Sequence, residues 1–239
     1  TIAAFLNARP DHYFKLDNAG TLTGDVNVRT GDRTNWTNPN GSDSGNAGYN
    51  SPYKVDIVTH ITGSGVGHTT EDNASLNSGY IGGTLSIGTG TFNTTTGKFD
   101  FNASTINTGG NNGAIVTVAP KLDAIVHDGE YFLVANKLYG DTLPTIDEDA
   151  NSFFVNWSIA KNTAGQLVVG AEVKDASDVE GLSKPGVSTL NALLGYTGTD
   201  DDLQALGAAV LSFSDEDDVK KAGKQLSPEE ALKQGVVHE

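Results

Sequence analysis

The 239-residue chain contains no cysteine and no methionine, and it has only 7 prolines. The absence of cysteine excludes disulfide bridges, thiolate metal sites and cysteine nucleophiles. It is typical of a cytosolic protein, but also of one that must cross an outer membrane without forming premature disulfides. No signal peptide is visible, and no apolar run approaches the length of a transmembrane helix. Because there is no initiator methionine, we expect a processed or excised part of a longer protein.

Basic residues are scarce. The chain has 15 lysines and arginines against 30 aspartates and glutamates, which gives a formal net charge of −15. Nucleic-acid binding requires a basic face that releases counterions from phosphates, so this composition argues against a nucleic-acid partner. The simplest role of such acidity is solubility.

Residues 1–112 are rich in glycine, asparagine, threonine and serine, and short apolar stretches alternate with polar residues. Period-2 alternation bounded by glycine and asparagine indicates strands with one buried face. Many short strands without helices leave two architectures open, namely a sandwich or barrel and a solenoid of stacked rungs. The strand segments are 20–31, 53–63, 82–92 and 97–109, and their expected inward residues are Leu22, Val26, Val28, Val55, Ile57, Thr59, Ile61, Leu85 and Ile87.

Residues 113–175 carry more large apolar side chains, among them Tyr131 and Trp157, which favour a better-packed core. We predict an antiparallel β unit here. The segment "KNTAGQ" is typical of a hairpin loop, with Gly165 free to take a positive φ. The four predicted strands lie within 113–126, 129–140, 151–162 and 165–175.

From about residue 180 the apolar period changes to three and four, which predicts helices across 187–235. Asp200 and Asp215 stand where N-caps are expected. Near the end, "KKAGKQLSPEE" places Ser227 as an N-cap, Pro228 at the first helical position and Glu230 at N3, which predicts a capped terminal helix. The side chains predicted to pack inward are Leu203, Leu206, Val210 and Phe213.

Three segments follow one another along the chain: "NSFFVNWSIAKNTAGQLVVGAEV", then "GLSKPGVSTLNALLG", then "DLQALGAAVLSFSDEDDVKKAGKQLSPE". Together they resemble the C-terminal part of a classical (type V) autotransporter passenger. The resemblance covers about residues 115–235, and the first hundred residues match in style only. It implies a right-handed parallel β-helix capped by an antiparallel β unit, followed by a short helical region that leads to a β-barrel translocator.

The resemblance also implies a division of the chain and a location. Residues 1–112 would be solenoid rungs, 113–180 an autochaperone-like cap, and 181–239 a helical junction toward the barrel, which the chain lacks. The protein would be exported through the periplasm and outer membrane to the surface of a Gram-negative bacterium. The residues expected to stabilise the cap are Phe153, Phe154, Trp157, Leu167 and Val169, and those of the helical junction are Leu203, Leu206, Val210, Phe213 and Ser227.

No catalytic motif is present, so the sequence predicts a non-enzymatic protein without cofactor or metal. The histidines at 12, 60, 68, 127 and 238 lack any metal-ligand spacing. His127-Asp128 could be half of a catalytic pair, but no serine nucleophile is placed beside it by the sequence. The acidic loops 16–22 and 146–151 fall short of calcium-loop spacing and are expected to be turns and caps.

Two functional hypotheses follow. The first is a surface-exposed passenger fragment that serves as stalk and folding cap for secretion, with adhesion to a host glycan or protein through residues 1–112. The alternative is a self-assembling extracellular protein of a surface layer or filament, whose open strand edges pair between subunits.

Overall fold

The computed structural model describes residues 2–7, 13–29, 53–65, 67, 69–93, 95, 98–103, 114–140 and 143–227. These residues form strands first and helices last. The strands are β1 (Ile2–Asn7), β2 (Tyr13–Asn18), β3 (Thr21–Leu22), β4 (Asp25–Arg29), β5 (Tyr53–Ile61), β6 (Tyr80–Asn93), β7 (Lys98–Ala103), β8 (Ala114–Leu122), β9 (Tyr131–Tyr139), β10 (Thr145–Ile146), β11 (Val155–Lys161) and β12 (Leu167–Val173). The helices are α1 (Lys184–Leu194), α2 (Asp201–Leu211) and α3 (Glu216–Leu226).

The strands make two sheets between which the chain alternates. The larger sheet has the order β1-β4-β6-β9-β12-β11, with β3 and β7 also paired to β6. The smaller sheet has the order β10-β8-β5-β2. All pairs of the smaller sheet are parallel, as are β1–β4, β4–β6 and β6–β9 in the larger one. Parallel neighbours need a crossover connection, and here much of each crossover is a strand of the opposite sheet.

The four strand segments predicted within 1–112 each contain a strand, whereas 30–31, 97 and 104–109 lie outside the described residues. Of their predicted inward residues all are buried except Leu22, which is half-buried. The inward row of β5 consists of Val55, Ile57, Thr59 and Ile61, each at most 1% exposed. In β4 and β6 the apolar residues of the same parity are also buried. These rows join one hydrophobic cluster that continues through β8, β9 and β12 to Val219 of α3. The alternation of the sequence therefore identified the core correctly.

The expected right-handed parallel β-helix with an antiparallel cap is wrong. The larger sheet mixes parallel and antiparallel pairs, and three α-helices follow the sheets in the described residues. An antiparallel hairpin of β6 and β7 lies within the larger sheet, well before the cap. Within 113–175, β8 pairs in parallel with β5 and β10, so this region is not an antiparallel unit by itself. Period-2 patterning is common to parallel and antiparallel strands, and it cannot determine the direction of pairing.

Two helices, α2 and α3, begin where the sequence predicts caps, whereas α1 begins at a cap that was not predicted. The side chain of Asp200 accepts a hydrogen bond from the N–H of Leu203, and that of Asp215 accepts one from the N–H of Asp217. Ser183 caps α1 in the same way, through the N–H of Gly186. Acidic residues in the first turns of α2 and α3 also complement the helix dipoles.

Candidate functional site

The larger sheet ends in a hairpin of β11 and β12, which we call the cap hairpin. Its two strands pair from Val155↔Val173 to Lys161↔Leu167, and the turn between them contains Gly165 at φ 80°. This positive φ was predicted from the sequence. β12 pairs antiparallel with β9, the last of the parallel strands. The cap hairpin therefore reverses strand direction at one end of the sheet.

The residues predicted to stabilise the cap lie together in this region. Phe154, Leu167 and Val169 are fully buried, and Trp157 is 8% exposed. Phe153 is partly buried, and its ring meets that of Phe154 edge-on, with 5.3 Å between centroids. The cluster supplies the apolar burial that such a cap needs.

The outer edge of β11 is blocked by side chains of the preceding segment. The N–H of Trp157 donates to Asn151 Oδ1 at 2.8 Å, and the N–H of Val155 donates to Ser152 Oγ at 3.0 Å. The Ser152 hydroxyl in turn donates to the carbonyl of Leu211 at the end of α2. Exposed edges are templates for pairing with other chains. Over Val155–Trp157, therefore, the edge amides already have intramolecular partners.

Residues 62–65, 67 and 69–79, which we call the docking loop, tie β5 to the cap hairpin over a long sequence separation. The carboxylate of Asp72 accepts hydrogen bonds from the Thr163 N–H at 2.9 Å and hydroxyl at 2.7 Å. These bonds hold the pKa of Asp72 below its ordinary value. Farther along, the Ser75 N–H donates to the Tyr131 carbonyl and the Leu133 N–H to the Ser75 carbonyl. Sequence reasoning missed this contact because the loop has no apolar periodicity.

Helix α2 packs against the β8–β9 connection at a glycine. A Cβ at Gly207 would overlap the Cδ1 and Cγ1 atoms of Ile125, which is fully buried. The Gln204 side chain accepts a hydrogen bond from the N–H of Ile125 at 2.9 Å. Glycine costs a helix interior about 1 kcal/mol relative to alanine, and here that loss is offset by close packing. Gly223 of α3 similarly lies against Leu182.

The predicted junction residues divide into buried and exposed ones. Val210 is 2% exposed and Phe213 is partly buried against the core. Leu203 and Leu206 are each 39% exposed, so their predicted inward packing is wrong. The inward face of α2 is instead made of small residues and its C-terminal end, namely Gly207, Ala208, Val210 and Leu211.

Ser227 is fully buried at the end of α3, and its hydroxyl has no hydrogen-bond partner among the described residues. It occupies the C-cap position with extended backbone angles. Its predicted N-cap role concerns a helix beyond it, which lies outside the described residues together with Pro228 and Glu230. The N-cap therefore stays a prediction.

A cluster of polar side chains lies where the docking loop meets the turn between β8 and β9. The Ser64 hydroxyl donates to Glu130 Oε1 at 2.6 Å and lies 3.1 Å from His127 Nδ1. The other Glu130 oxygen accepts the His127 backbone N–H at 2.9 Å and lies 3.6 Å from Nδ1. Glu130 is buried. We call Ser64, His127 and Glu130 the Ser-His-Glu cluster.

The same three residue types make catalytic triads, but the proton arrangement here differs. In a triad the histidine removes the proton from the serine, and the acid orients the other ring nitrogen. Here the Ser64 hydroxyl donates its one hydrogen bond to Glu130 directly. Nδ1 of His127 faces both Ser64 and Glu130. The serine is thus an acceptor toward histidine and is not activated as a nucleophile. The expectation of a non-enzymatic protein stays a prediction.

A second histidine connects strands of the smaller sheet. His60 of β5 places Nε2 at 2.6 Å from Asp17 of β2 and Nδ1 at 2.6 Å from Asp123, which follows β8. The hydrogen bond from His60 holds the pKa of Asp17 below its ordinary value. The two ring nitrogens of His60 therefore link β2 to the segment after β8.

In the acidic loops considered for calcium, two side chains accept hydrogen bonds from backbone N–H groups of their own turns. Asn18 Oδ1 accepts the N–H of Gly20, and Asp147 Oδ1 accepts that of Asp149. Among the described residues, no group of three or more histidine, aspartate or glutamate side chains is arranged to hold a metal ion.

A shallow groove of about 300 Å³ lies on the outer face of the cap hairpin. Tyr131 covers Gly170 there, since a Cβ on that glycine would lie 2.6 Å from the ring. The polar side chains of the lining are Asp128, Asn156, Ser158 and Glu172, and Trp157 and Ala171 add apolar surface. The tyrosine thus shields a glycine backbone that would otherwise face water.

Comparison of the chain with family models, with curated proteins and with solved structures found no match. Within the described part of the chain, no helix has the length and apolar character needed to cross a membrane. Host-ligand binding was expected of residues 1–112, many of which lie outside the described residues, and it stays a prediction.

Proposed function

We propose that this chain is a non-enzymatic, surface-exposed passenger fragment of an autotransporter, and that its C-terminal half is a folding cap that supports secretion. The proposal begins from the order of the motifs around Trp157, the helical region and "QLSPE". It does not depend on a regular β-helix. It requires an extended stack of strands, a stable end from which folding can spread, and export by a barrel encoded beyond this segment.

The observation that carries the proposal is the construction of the cap hairpin. It pairs with β9, its outer edge amides at Val155 and Trp157 are bonded to Ser152 and Asn151, and α2 lies behind that edge. Strands that bury their faces only against neighbours gain stability by stacking on an ordered unit, and the terminal unit needs a capped outer side. In our proposal that ordered unit is the cap hairpin. A blocked edge also disfavours the alternative of assembly through this end of the sheet.

The docking loop adds a route by which cap stability reaches the earlier strands. Asn162 and Thr163 at the hairpin tip bond to Glu71 and Asp72. These contacts join segments separated by 91 residues. Contacts over such separations carry a large loop-closure cost, so they form once one partner is already ordered. In our proposal the ordered partner is the cap hairpin.

Refolding kinetics test the order of folding with two matched leucines. Leu167 of β12 and Leu85 of β6 are both fully buried, and either truncation to alanine should cost about 2–5 kcal/mol. We expect Leu167→Ala to slow refolding, with a φ-value above about 0.5, and Leu85→Ala mainly to speed unfolding, with a φ-value below about 0.3. Chevron plots in urea measure both. The reverse order would contradict a C-terminal folding cap.

Surface display tests the role in secretion. The chain would be fused ahead of an autotransporter β-barrel in a Gram-negative host, and protease-accessible passenger would be measured on intact cells. We expect Leu167→Ala to reduce display severalfold, because an unfolded cap cannot hold exported chain outside. Leu203→Ala, at a 39% exposed position, is the control and should leave display unchanged. Equal display of both variants would remove the support for a folding role in export.

A further inference from the structure

Three separate segments meet around the Ser-His-Glu cluster, in which the Glu130 carboxylate is buried. Glu130 lies in the turn before β9, and its two oxygens accept hydrogen bonds from the Ser64 hydroxyl of the docking loop and from the His127 N–H. The backbone of Tyr196, in the connection between α1 and α2, lies beside the His127 ring, whose buried Nε2 atom has no hydrogen-bond partner among the described residues. The Ser-His-Glu cluster therefore touches the docking loop, the β8–β9 turn and the helices.

The protons of the cluster can be assigned from these contacts. The Ser64 hydroxyl donates its only hydrogen bond to Glu130, so it can only accept one from His127. Because Nδ1 of His127 thus faces two acceptor oxygens, it carries a proton. Neutral imidazole then has a bare Nε2, which is a buried acceptor without a donor. A proton added at Nε2 converts it into a donor toward the Tyr196 backbone and supplies a positive charge beside buried Glu130. Protonation thus gives His127 Nε2 a hydrogen-bond acceptor to donate to, and it places a positive charge beside the buried carboxylate of Glu130.

We propose that the Ser-His-Glu cluster is a pH-sensitive latch, which fastens the docking loop and the α1–α2 connection to the β8–β9 turn in mildly acidic solution and loosens as the pH rises. The latch is independent of the proposed secretion role, because it follows from the local contacts alone. The added proton stays within the cluster, on His127 Nε2, and no other reactant is involved.

The titration of both groups defines the pH window. The hydrogen bond with Glu130 raises the pKa of His127, although burial lowers it. Burial would raise the pKa of Glu130, but hydrogen bonds from His127 and Ser64 hold it below its ordinary value. The contribution of His127 is complete below its unfolded pKa of about 6.5 and is lost as the pH rises through the higher folded value. That of Glu130 is complete above about 4.5 and is lost as the pH falls through the lower folded value.

Among the described residues, few other ionisable groups face the imidazole from the surrounding elements. On its own turn, the Asp128 carboxylate is directed to the Val173 N–H of the cap hairpin. From the docking loop the contact is the neutral Ser64. In the α1–α2 connection, Tyr196 presents its backbone, and its hydroxyl accepts the Asp200 N–H. Glu130 is therefore the charge that dominates the titration of His127.

The test combines an NMR titration of the His127 ring with amide exchange in the full chain. We expect a His127 pKa above 6.5 in the folded protein. We also expect the protection factors of the Tyr196 and Asp200 amides to fall between pH 6 and pH 8.5, by about tenfold for each pH unit by which that measured pKa exceeds 6.5. The Val169 amide of the cap core is the internal reference and should keep its protection.

Two variants make the test specific. His127→Gln should abolish the pH-dependent fall, whereas His60→Gln, which removes the side-chain contacts of the other described histidine, should retain it. Glu130→Gln should lower the pKa of His127 in the same titration, and it serves if His127→Gln fails to fold. A His127 pKa of 6.5 or less, or a fall that persists in His127→Gln, would overturn the latch.

Discussion

Replacement of Gly79 by alanine is expected to destabilise the protein by about 3 kcal/mol, at the upper end of the penalties for overpacking. Gly79 is buried just before β6, and its N–H donates to the carbonyl of His60 at 2.7 Å. A Cβ there would overlap the backbone carbonyl oxygen of Asn18. Because the obstacle is backbone, no side-chain rotation can relieve it. The strand ends of β2, β5 and β6 would have to move apart.

Thermal unfolding measures this effect against a matched glycine. For a chain of this length, about 3 kcal/mol corresponds to a melting temperature lower by about 6–12 °C. Gly20 is exposed, and a Cβ placed on it meets nothing within 4 Å. Gly20→Ala should therefore leave the melting temperature nearly unchanged or slightly raised. If Gly79→Ala were as stable as Gly20→Ala, the close approach of the two backbones would be incorrect.

Strand positions could be predicted from the sequence because burial repeats every second residue. The row of Val55, Ile57 and Ile61 illustrates this, since every member is fully or almost fully buried. The direction of pairing could not be predicted in the same way. β5 and β8 are parallel whereas β6 and β7 are antiparallel, although all four alternate in sequence. Pairing direction is decided by contacts between distant segments and by connections, which a local period does not record.

The helical region shows a different limit. The caps at Asp200 and Asp215 were predictable, because one side chain and a neighbouring backbone amide define them. The buried face of α2 could not be predicted from the sequence. Leu203 and Leu206 have the right spacing for the core, yet the helix approaches Ile125 through Gly207 and leaves both leucines exposed. Close approach selects the smallest residue, whereas a hydrophobic periodicity analysis gives glycine little weight.

The polar contacts of the candidate site were the least predictable part. Ser64, His127 and Glu130 come together across more than 60 residues of sequence. Neither the glycine-rich segment around Ser64 nor the dipeptide His127-Asp128 indicated the other. Only Glu130, an acidic residue directly before an apolar strand, could have suggested a buried carboxylate that needs partners.

Phe154→Ala is expected to destabilise the protein by about 3–5 kcal/mol, the range for loss of a buried phenylalanine. Phe154 is fully buried, and its carbonyl accepts the N–H of Lys174, which holds the start of β11 to the end of β12. Removing the ring also removes its edge-on contact with Phe153. Leu203→Ala is the control and should cost less than about 1 kcal/mol, because that side chain is already 39% exposed.

Phe154→Ala also tests which parts of the chain lose stability together. The buried cluster that contains Phe154 also contains Val26 of β4 and Ile57 of β5. If this cluster unfolds as one unit, amide exchange in β4 and β5 should accelerate as much as exchange in β12. We expect this result, with urea midpoints that coincide for probes in both regions. Acceleration confined to residues 143–227 would instead show that the cap hairpin and helices are a separate folding unit, and that the earlier strands do not depend on it.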